Sequence, residues 1–516
     1  MQNKSIRLSN RLAPCVCRQR RYPSVLENTP MLFTTQVFLF VFLPICLAAY
    51  YFILFLQKRS KAGAFLQKIR AADLVLIAAG CGFYLWSCFD DLFRLLAYII
   101  VIWLAGHFIA KRRDSGTADA AHASGVILAA GIAFAVFVLV HFKYIGTLTD
   151  VWNFFFKDSR THDPVAAPLG ISFITFSAIS YLADIKTGKA RPGSLLDCLL
   201  YITFFPKVVS GPITLWRDFY GFIDSRTVTL DGISDGVSRV MIGFAKKLIL
   251  ADTFGSALAA MDEAVDVPTA WFAALLYMLQ IYFDFSGYSD IAIGLSGMLG
   301  FPMKENFNFP YLSRSITEFW RRWHISLGTW FREYIYIPLG GSRQGKKRTV
   351  LNVLTVFLLT GIWHGAGLGY FLWGMINGVC NVIEKLIGEK KFYKKTPGLV
   401  KWLFTTLITF FSWELFRFGK LSLFNDQLMI MFGLKRFTAI PYTWRYYLDA
   451  QIVTLAVIGA LGATVWGLPK IRNAYLKFTG TKTGYLINQL VFVLLFIISV
   501  MFMVSSQYSP FIYFRY

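Results

Sequence analysis

Six histidines are the groups in this chain best suited to move a proton near neutral pH: His107, His122, His141, His162, His324 and His364. His122 and His162 fall in loops, and His107 and His141 sit near the ends of apolar runs, so these four read as surface or interface residues. His364 stands apart. It lies 16 residues beyond Arg348 in an otherwise apolar run. At about 1.5 Å per residue that is about 24 Å, past the middle of a bilayer. An ionisable ring at that depth is costly unless it faces a cavity or a partner, so it is a candidate functional group. Gly365, Gly367 and Gly369 behind it remove side-chain bulk and let backbone or substrate come close. The competing reading is a histidine hydrogen-bonded between helices.

His324 lies in the segment 313–338, where Glu318, Arg321, Arg322, Arg332 and Glu333 alternate with aromatic residues. Helical spacing puts Trp320, Trp323, His324, Leu327 and Phe331 on one face, with Arg321 and Arg322 on or beside the other, within reach of Glu318. So many charges do not suit a lipid-exposed span and fit an interfacial or re-entrant helix. Periodicity alone does not separate a packed histidine from a functional one. Ser210, Ser286, Ser289, Asp284 and Asp290 are the other polar residues in apolar context. Asp284 and Asp290 lie about 240° apart around a helix, too far round to act as a carboxylate pair. Glu414 and Arg417, three positions apart near a span end, are expected to pair. No G-x-S-x-G elbow and no HExxH occurs, which leaves serine-hydrolase and zincin chemistry without support.

The elements that must position these groups are membrane helices. The chain has 516 residues, 56% of them hydrophobic and 16% charged, whereas soluble domains carry roughly a quarter charged. Apolar blocks at 34–57, 74–88, 95–110 and 124–145 set a pattern that continues to the end. Roughly ten to twelve such segments, each of about 20 residues, predict one all-α polytopic membrane domain. The net charge of +23 sits in short basic clusters between apolar blocks, the positive-inside pattern rather than a nucleic-acid surface. Clusters around Lys58–Arg70, Lys111–Arg113 and Lys186–Arg191 alternate with the spans and are expected on the cytoplasmic side. So are Arg343–Arg348, Lys390–Lys395 and Lys470–Lys477, with Asp90 and Asp91 outside. Residues 1–30 carry six basic residues against Glu27 on the side where the rule disfavours them. They also lack an apolar signal-peptide core. Met31 is therefore expected to be the natural start, with 1–30 a disordered leader or an upstream start artefact and 31–516 the single domain. A genuine basic arm is the rival reading. The seven cysteines form no CxxC pair and read as small buried hydrophobes. Pro206, Gly211 and Pro212 interrupt an apolar run and predict a half-helix or re-entrant turn around an internal site.

Four motifs then carry a resemblance. Asp284-Phe-Ser-Gly-Tyr-Ser-Asp290, Phe319-Trp-Arg-Arg-Trp-His324-Ile-Ser-Leu, Tyr336-Ile-Pro-Leu-Gly-Gly-Ser342 and Gly361-Ile-Trp-His364-Gly are similar in order to those of the membrane-bound O-acyltransferases. The likeness runs from Met31 to the C-terminus. It is greatest to the alginate O-acetylation branch, whose style also fits Met31-Leu-Phe-Thr and the closing Phe511-Ile-Tyr-Phe-Arg-Tyr516. Teichoic-acid D-alanyl transfer proteins share the same core.

The resemblance implies a ring of about ten to twelve transmembrane helices, with re-entrant and interfacial helices, around a central tunnel. It implies an acyl group, expected to be acetyl, passing from a cytoplasmic donor to an extracytoplasmic polysaccharide or a partner acetyltransferase of SGNH type. The donor would be acetyl-CoA or an acyl carrier, with no bound cofactor and no metal, in a bacterial inner membrane. His364 and His324 carry over as catalytic residues: His364 as base, or as a covalent acyl carrier, and His324 orienting donor or base. Trp363, or backbone N–H groups near Gly365, would steady an oxyanion. Trp363, Trp320, Trp323, Ser286, Asp290 and Arg321 are the candidates for substrate contact. D-alanyl transfer to teichoic acid, or a membrane transporter, are the alternatives.

Overall fold

A computed structural model describes residues 31–59, 63–87, 89–157, 160, 167–209, 211–261, 266–435 and 442–505. The 1–30 leader, Cys88, His162, Ser210 and the closing residues 511–516 lie outside the described residues. Among the described residues every regular element is a helix. The helices needed below are numbered in chain order. They begin with α1 (Leu43–Arg59), α2 (Ala71–Ser87), α3 (Phe89–Asp114), α4 (Ala118–Phe156) and α5 (Ile171–Lys186). Next come α6 (Leu195–Thr203), α7 (Phe205–Val208), α8 (Trp216–Ile223), α9 (Leu230–Phe244) and α10 (Val267–Met298). The series closes with α11 (Ile316–Arg322), α12 (Ile325–Phe331), α13 (Gly345–His364), α14 (Leu368–Ile387), α15 (Gly398–Phe418) and α16 (Lys482–Ser505).

Six described stretches are long and apolar enough to cross a bilayer, among them Ala118–Phe156, Gly398–Phe418 and Lys482–Ser505, and Ala71–Trp86 is apolar but shorter. That is fewer than the ten to twelve expected. The other long helices, α10, α13 and α14, carry polar residues that protein rather than lipid surrounds. On α10, Asp284, Ser286, Ser289 and Asp290 are all buried. Asn352, Thr360 and His364 of α13 and Asn377 and Asn381 of α14 are buried as well. The outer helices instead present Leu, Phe and Val outward, as on α16, where Leu486 and Leu490 are well over half exposed.

Ionic contacts draw several of the basic clusters to one end of the bundle. Arg70 bridges Asp73 at 2.6 Å and Asp197 at 2.5 Å. Arg113 donates to the Ile185 carbonyl at 2.5 Å. Lys189 and Arg217 converge on Glu333 at 3.2 and 2.9 Å. Tyr50 and Tyr51 donate to the Leu299 and Met298 carbonyls, which fixes the C-terminal end of α10 at the same level.

Glycines set the closest approaches. α9 and α10 cross where Gly236 faces Gly294 and Gly243 faces Gly287. A Cβ on Gly287 would stand 2.8 Å from the Gly243 carbonyl oxygen. α13 meets α14 through Gly361 and Gly374 in the same manner, with 2.4 Å left between a Cβ on Gly374 and the Phe357 oxygen. The expected half-helix is present. α6 stops at Thr203, α7 makes one buried turn, and backbone without regular structure runs from Gly211 to Leu215 before α8. Gly211 is required there, because a Cβ would meet the Pro206 oxygen at 2.4 Å.

Candidate active site

His364 is the last residue of α13 and is 3% exposed. Helix α13 ends because Gly365 turns into extended backbone, and the Tyr370 ring occupies the space a Cβ at 365 would take, at 2.5 Å. Gly367 and Gly369 pack on the backbone of Gly419, so the three glycines admit protein rather than open space. The imidazole is enclosed by aromatic rings: Trp363 at 4.5 Å, Phe416 at 4.9 Å and Trp373 at 5.1 Å between centroids. Trp373 stacks on Trp413 at 5.9 Å. Trp363, Trp373 and Trp413 each bury an indole N–H with no hydrogen-bond acceptor among the described residues. An indole N–H only donates, so these groups are sources of positive partial charge around the imidazole.

The end of α13 is fixed from α4. Tyr144 donates to the Ile362 carbonyl at 2.7 Å and Lys143 donates to the Trp363 carbonyl. Those carbonyls belong to the last turn, where the helix supplies too few N–H donors for its own acceptors and carries partial negative charge. Lys143 also stands 5.4 Å from the Trp363 ring. Both Lys143 and His324 lie close enough to His364 to act on its charge.

His324 reaches that neighbourhood by a route periodicity misses. Segment 313–338 is not one helix. It breaks at His324, which adopts a left-handed conformation with φ 46° and ψ 53° between α11 and α12. The expected face Trp320–Trp323–His324–Leu327–Phe331 therefore does not exist as a helical stripe. The break is held by the chain before it: Ile325 N–H donates to the Asn306 carbonyl at 2.9 Å and Asn308 N–H to the Arg322 carbonyl at 2.9 Å. His324 is 2% exposed, edge-on to Phe285 of α10 at 4.6 Å, with Nδ1 3.1 Å from Asn306 Oδ1.

The other candidates divide. Trp323 is buried against Phe319 and Trp413, the latter at 4.7 Å, so it joins the two histidine neighbourhoods. Trp320 touches Trp373 at 5.6 Å and donates to Asn377 at 3.2 Å. Ser286 is buried beside Phe285, and its hydroxyl has no partner among the described residues. Asp290 is taken up by Lys246 at 2.6 Å and Arg239 at 2.8 Å, while Asp284 pairs with Lys247 at 2.7 Å. The two aspartates thus serve separate cations, as their angular separation requires. Arg321 is exposed, and Arg322 takes Glu318 at 2.8 Å. Glu414 and Arg417 pair at 3.7 Å as expected. His122, expected in a loop, lies in the first turns of α4; it and His141 are exposed and His107 approaches the Trp103 carbonyl, each in keeping with a surface or interface role.

Sequence reasoning missed Lys143, Trp373, Trp413 and Asn306. Lys143 left a signal, a lone cation inside the apolar run 124–145. The two tryptophans left none that distinguishes them from ordinary core residues, and Asn306 left only its place in a polar loop.

Comparison with known proteins identifies the family. Residues 132–408 match the model of the membrane-bound O-acyltransferase family. The chain is 35% identical to the "Probable alginate O-acetylase AlgI" of Pseudomonas putida over 94% of this chain and the whole of that protein. It is 32% identical to the peptidoglycan O-acetyltransferase of Helicobacter pylori over 80% of this chain and 81% of the relative. It is 31% identical to the teichoic acid D-alanyltransferase of Bacillus subtilis over 50% of this chain and 67% of the relative. With a matched core that contains both buried histidines and a likeness that extends along nearly the whole chain, this protein belongs to the membrane-bound O-acyltransferase family and is an acyltransferase.

Proposed function

We propose that the chain moves an acetyl group from a cytoplasmic thioester, acetyl-CoA or an acyl carrier, to a hydroxyl outside the membrane. The acceptor is a cell-surface polysaccharide or a separate extracytoplasmic acetyltransferase of SGNH type, and the setting is a bacterial inner membrane. The full ring would comprise ten to twelve helices around a central tunnel, with polar inner helices such as α10, α13 and α14 completing the spans. One observation carries this reading: His364 is packed between two tryptophans whose buried N–H groups have no acceptor among the described residues. A base beside spare donors suits acyl transfer. His364 takes the proton of the acceptor hydroxyl as its oxygen bonds to the acyl carbon, while Trp363 and Trp373 donate to the carbonyl oxygen as it gains charge. The C–S bond then breaks and the departing sulfur receives the proton. His324 orients the donor or the base. Acetyl is favoured over D-alanyl because likeness to the alginate relative extends over 94% of the chain, against 50% for the D-alanyltransferase.

The test is alkali-released acetate from cell-surface polysaccharide in wild type, a deletion strain, and the deletion complemented with wild type or His364→Ala. Deletion should remove the acetate. His364→Ala should not restore it at equal membrane abundance, since losing a general base costs about 10²–10⁴-fold in rate. Loss of esterified D-alanine in place of acetate would move the assignment to D-alanyl transfer. Full restoration by His364→Ala would return this histidine to a structural role.

A further inference from the structure

The environment of His324 fixes more than its position. Asn306 lies in the loop between α10 and α11, is 1% exposed, and uses both ends of its side chain. Its Oδ1 accepts from Ser326 N–H at 3.2 Å and Ser326 Oγ at 2.9 Å, and it stands 3.1 Å from His324 Nδ1. Its Nδ2 donates to Ser289 Oγ at 3.0 Å. The amide can sit only one way round. A backbone N–H is purely a donor, so the atom facing Ser326 N–H must be the oxygen, and the amide nitrogen must then face Ser289. That orientation presents an acceptor to His324 Nδ1, so Nδ1 carries the proton. In the neutral ring the basic lone pair is then on Nε2.

We infer that Asn306 is a positioning residue for acyl transfer: it fixes His324 as the Nδ1–H tautomer and thereby leaves Nε2 as the lone pair with which His324 orients the donor or the base. The same residue supplies what the fold withholds from α12. His324, in the left-handed cap position, makes no side-chain cap of its own. Asn306 replaces it, with its carbonyl on Ile325 N–H and its side chain on Ser326 N–H. The turn that aims His324 and the bond that sets its tautomer are therefore one device. It also gives a task to Ser289 within the Asp284…Asp290 run: holding the amide from its far side so that it cannot rotate. This inference rests on His324 serving the transfer reaction.

Two measurements keep the inference and that reading apart. Solid-state NMR on protein with ¹⁵N-labelled histidine reports which ring nitrogen bears hydrogen, and a His324→Gln sample identifies the His324 signal by its loss. Wild type should show His324 protonated at Nδ1, and Asn306→Ala should shift the signal toward the other tautomer or a mixture. Transfer should fall about ten- to hundredfold in Asn306→Ala, the size expected for one lost buried hydrogen bond to the ring. Ser326→Ala, which removes a competing donor to the amide oxygen and the 3.4 Å contact of Ser326 Oγ with Nδ1 but leaves Asn306 Oδ1 in place, should keep the wild-type tautomer. If Asn306→Ala does not reach the membrane, Asn306→Leu replaces it, since it fills nearly the same volume and removes the acceptor facing Nδ1. A wild-type His324 protonated at Nε2, or an unchanged tautomer in the variant that folds, overturns the role of Asn306. A His324→Gln protein with full transfer overturns the reading beneath it and leaves the tautomer result standing.

Discussion

Glu384 offers a direct way to weigh how firmly the segment leading to His324 is held. It sits on α14, yet its carboxylate caps α11: Oε1 accepts from Ile316 N–H at 2.6 Å and Oε2 from Thr317 N–H at 2.8 Å. Ser315 Oγ accepts from Glu318 N–H at 2.9 Å, so the first three donors of α11 are satisfied, two of them by another helix. In Glu384→Gln the side chain has nearly the same shape, but one carboxylate oxygen becomes an NH₂ that faces an N–H. One charge-assisted bond is lost, worth about 1.5–3 kcal/mol, together with about 0.3–1 kcal/mol of attraction to the helix N-terminus. The half-buried position calls for the lower part of that range, about 2 kcal/mol for Gln and more for Ala, which leaves both N–H groups bare. Thermal unfolding of the detergent-solubilised protein should therefore rank wild type above Glu384→Gln above Glu384→Ala. Transfer should fall in the same order, because Trp320 and the turn before His324 hang on α11. Glu389→Gln is the control: Glu389 pairs with Lys394 at the surface, and no change is expected. A Glu384→Gln protein that unfolds with wild type and transfers at the full rate would show that the inter-helix cap does not hold α11.

Gly369→Ala should destabilise by about 1–3 kcal/mol, because its Cβ would lie 2.4 Å from the Gly419 carbonyl and neither backbone can yield cheaply. Gly125→Ala, with open space around its Cβ, should be neutral or mildly stabilising, and equal melting of the two variants would refute the packing account. A cysteine at the exposed Gln344 should react with a membrane-impermeant thiol reagent from the cytoplasmic side alone, since Arg343, Lys346, Lys347 and Arg348 surround it. Labelling from outside would invert the orientation and place His364 in the opposite leaflet.

Much of this was legible in the sequence, for reasons that can be named. The helical membrane character follows from apolar runs and interleaved basic clusters, which are local properties. His364 at the far end of its helix follows from counting residues, and the half-helix at Pro206 follows from backbone chemistry. What periodicity cannot see is a partner distant in sequence. The break at His324 is imposed by Asn306, 18 residues earlier, and α11 is capped by Glu384, 66 residues beyond Glu318. Both override a pattern that locally favours one continuous helix. Fewer described helices than expected pass as spans by length and hydropathy for a related reason: α10 has the length of a span, but its burial lets it carry aspartates that no lipid-facing helix would.

The buried polar groups fall into two sets, and the difference bears on which of them meet substrate. Lys246 and Lys247 are consecutive on one π-helical stretch, and each finds its own aspartate, Asp290 and Asp284. Asn306 spends its oxygen and its nitrogen on named partners. Breaking such a pair exposes an uncompensated buried charge or dipole, so groups of this kind are fixed in the resting protein and have little left to offer a ligand. The indole N–H groups of Trp363, Trp373 and Trp413 are the opposite case. Each costs about 1–3 kcal/mol where no protein acceptor meets it; Trp363 and Trp373 stand against one imidazole, and Trp413 stacks on Trp373. A fold that saturates its aspartates a few turns away has the means to saturate these as well. Stability given up at one place is the expected mark of a site whose missing acceptor arrives with the substrate, and a thioester carbonyl is an acceptor of that kind. On that reasoning Trp363 and Ser286 are stronger candidates for substrate contact than Asp290, and replacing Trp373 with Phe, which keeps the ring and removes the N–H, should slow transfer without lowering membrane abundance.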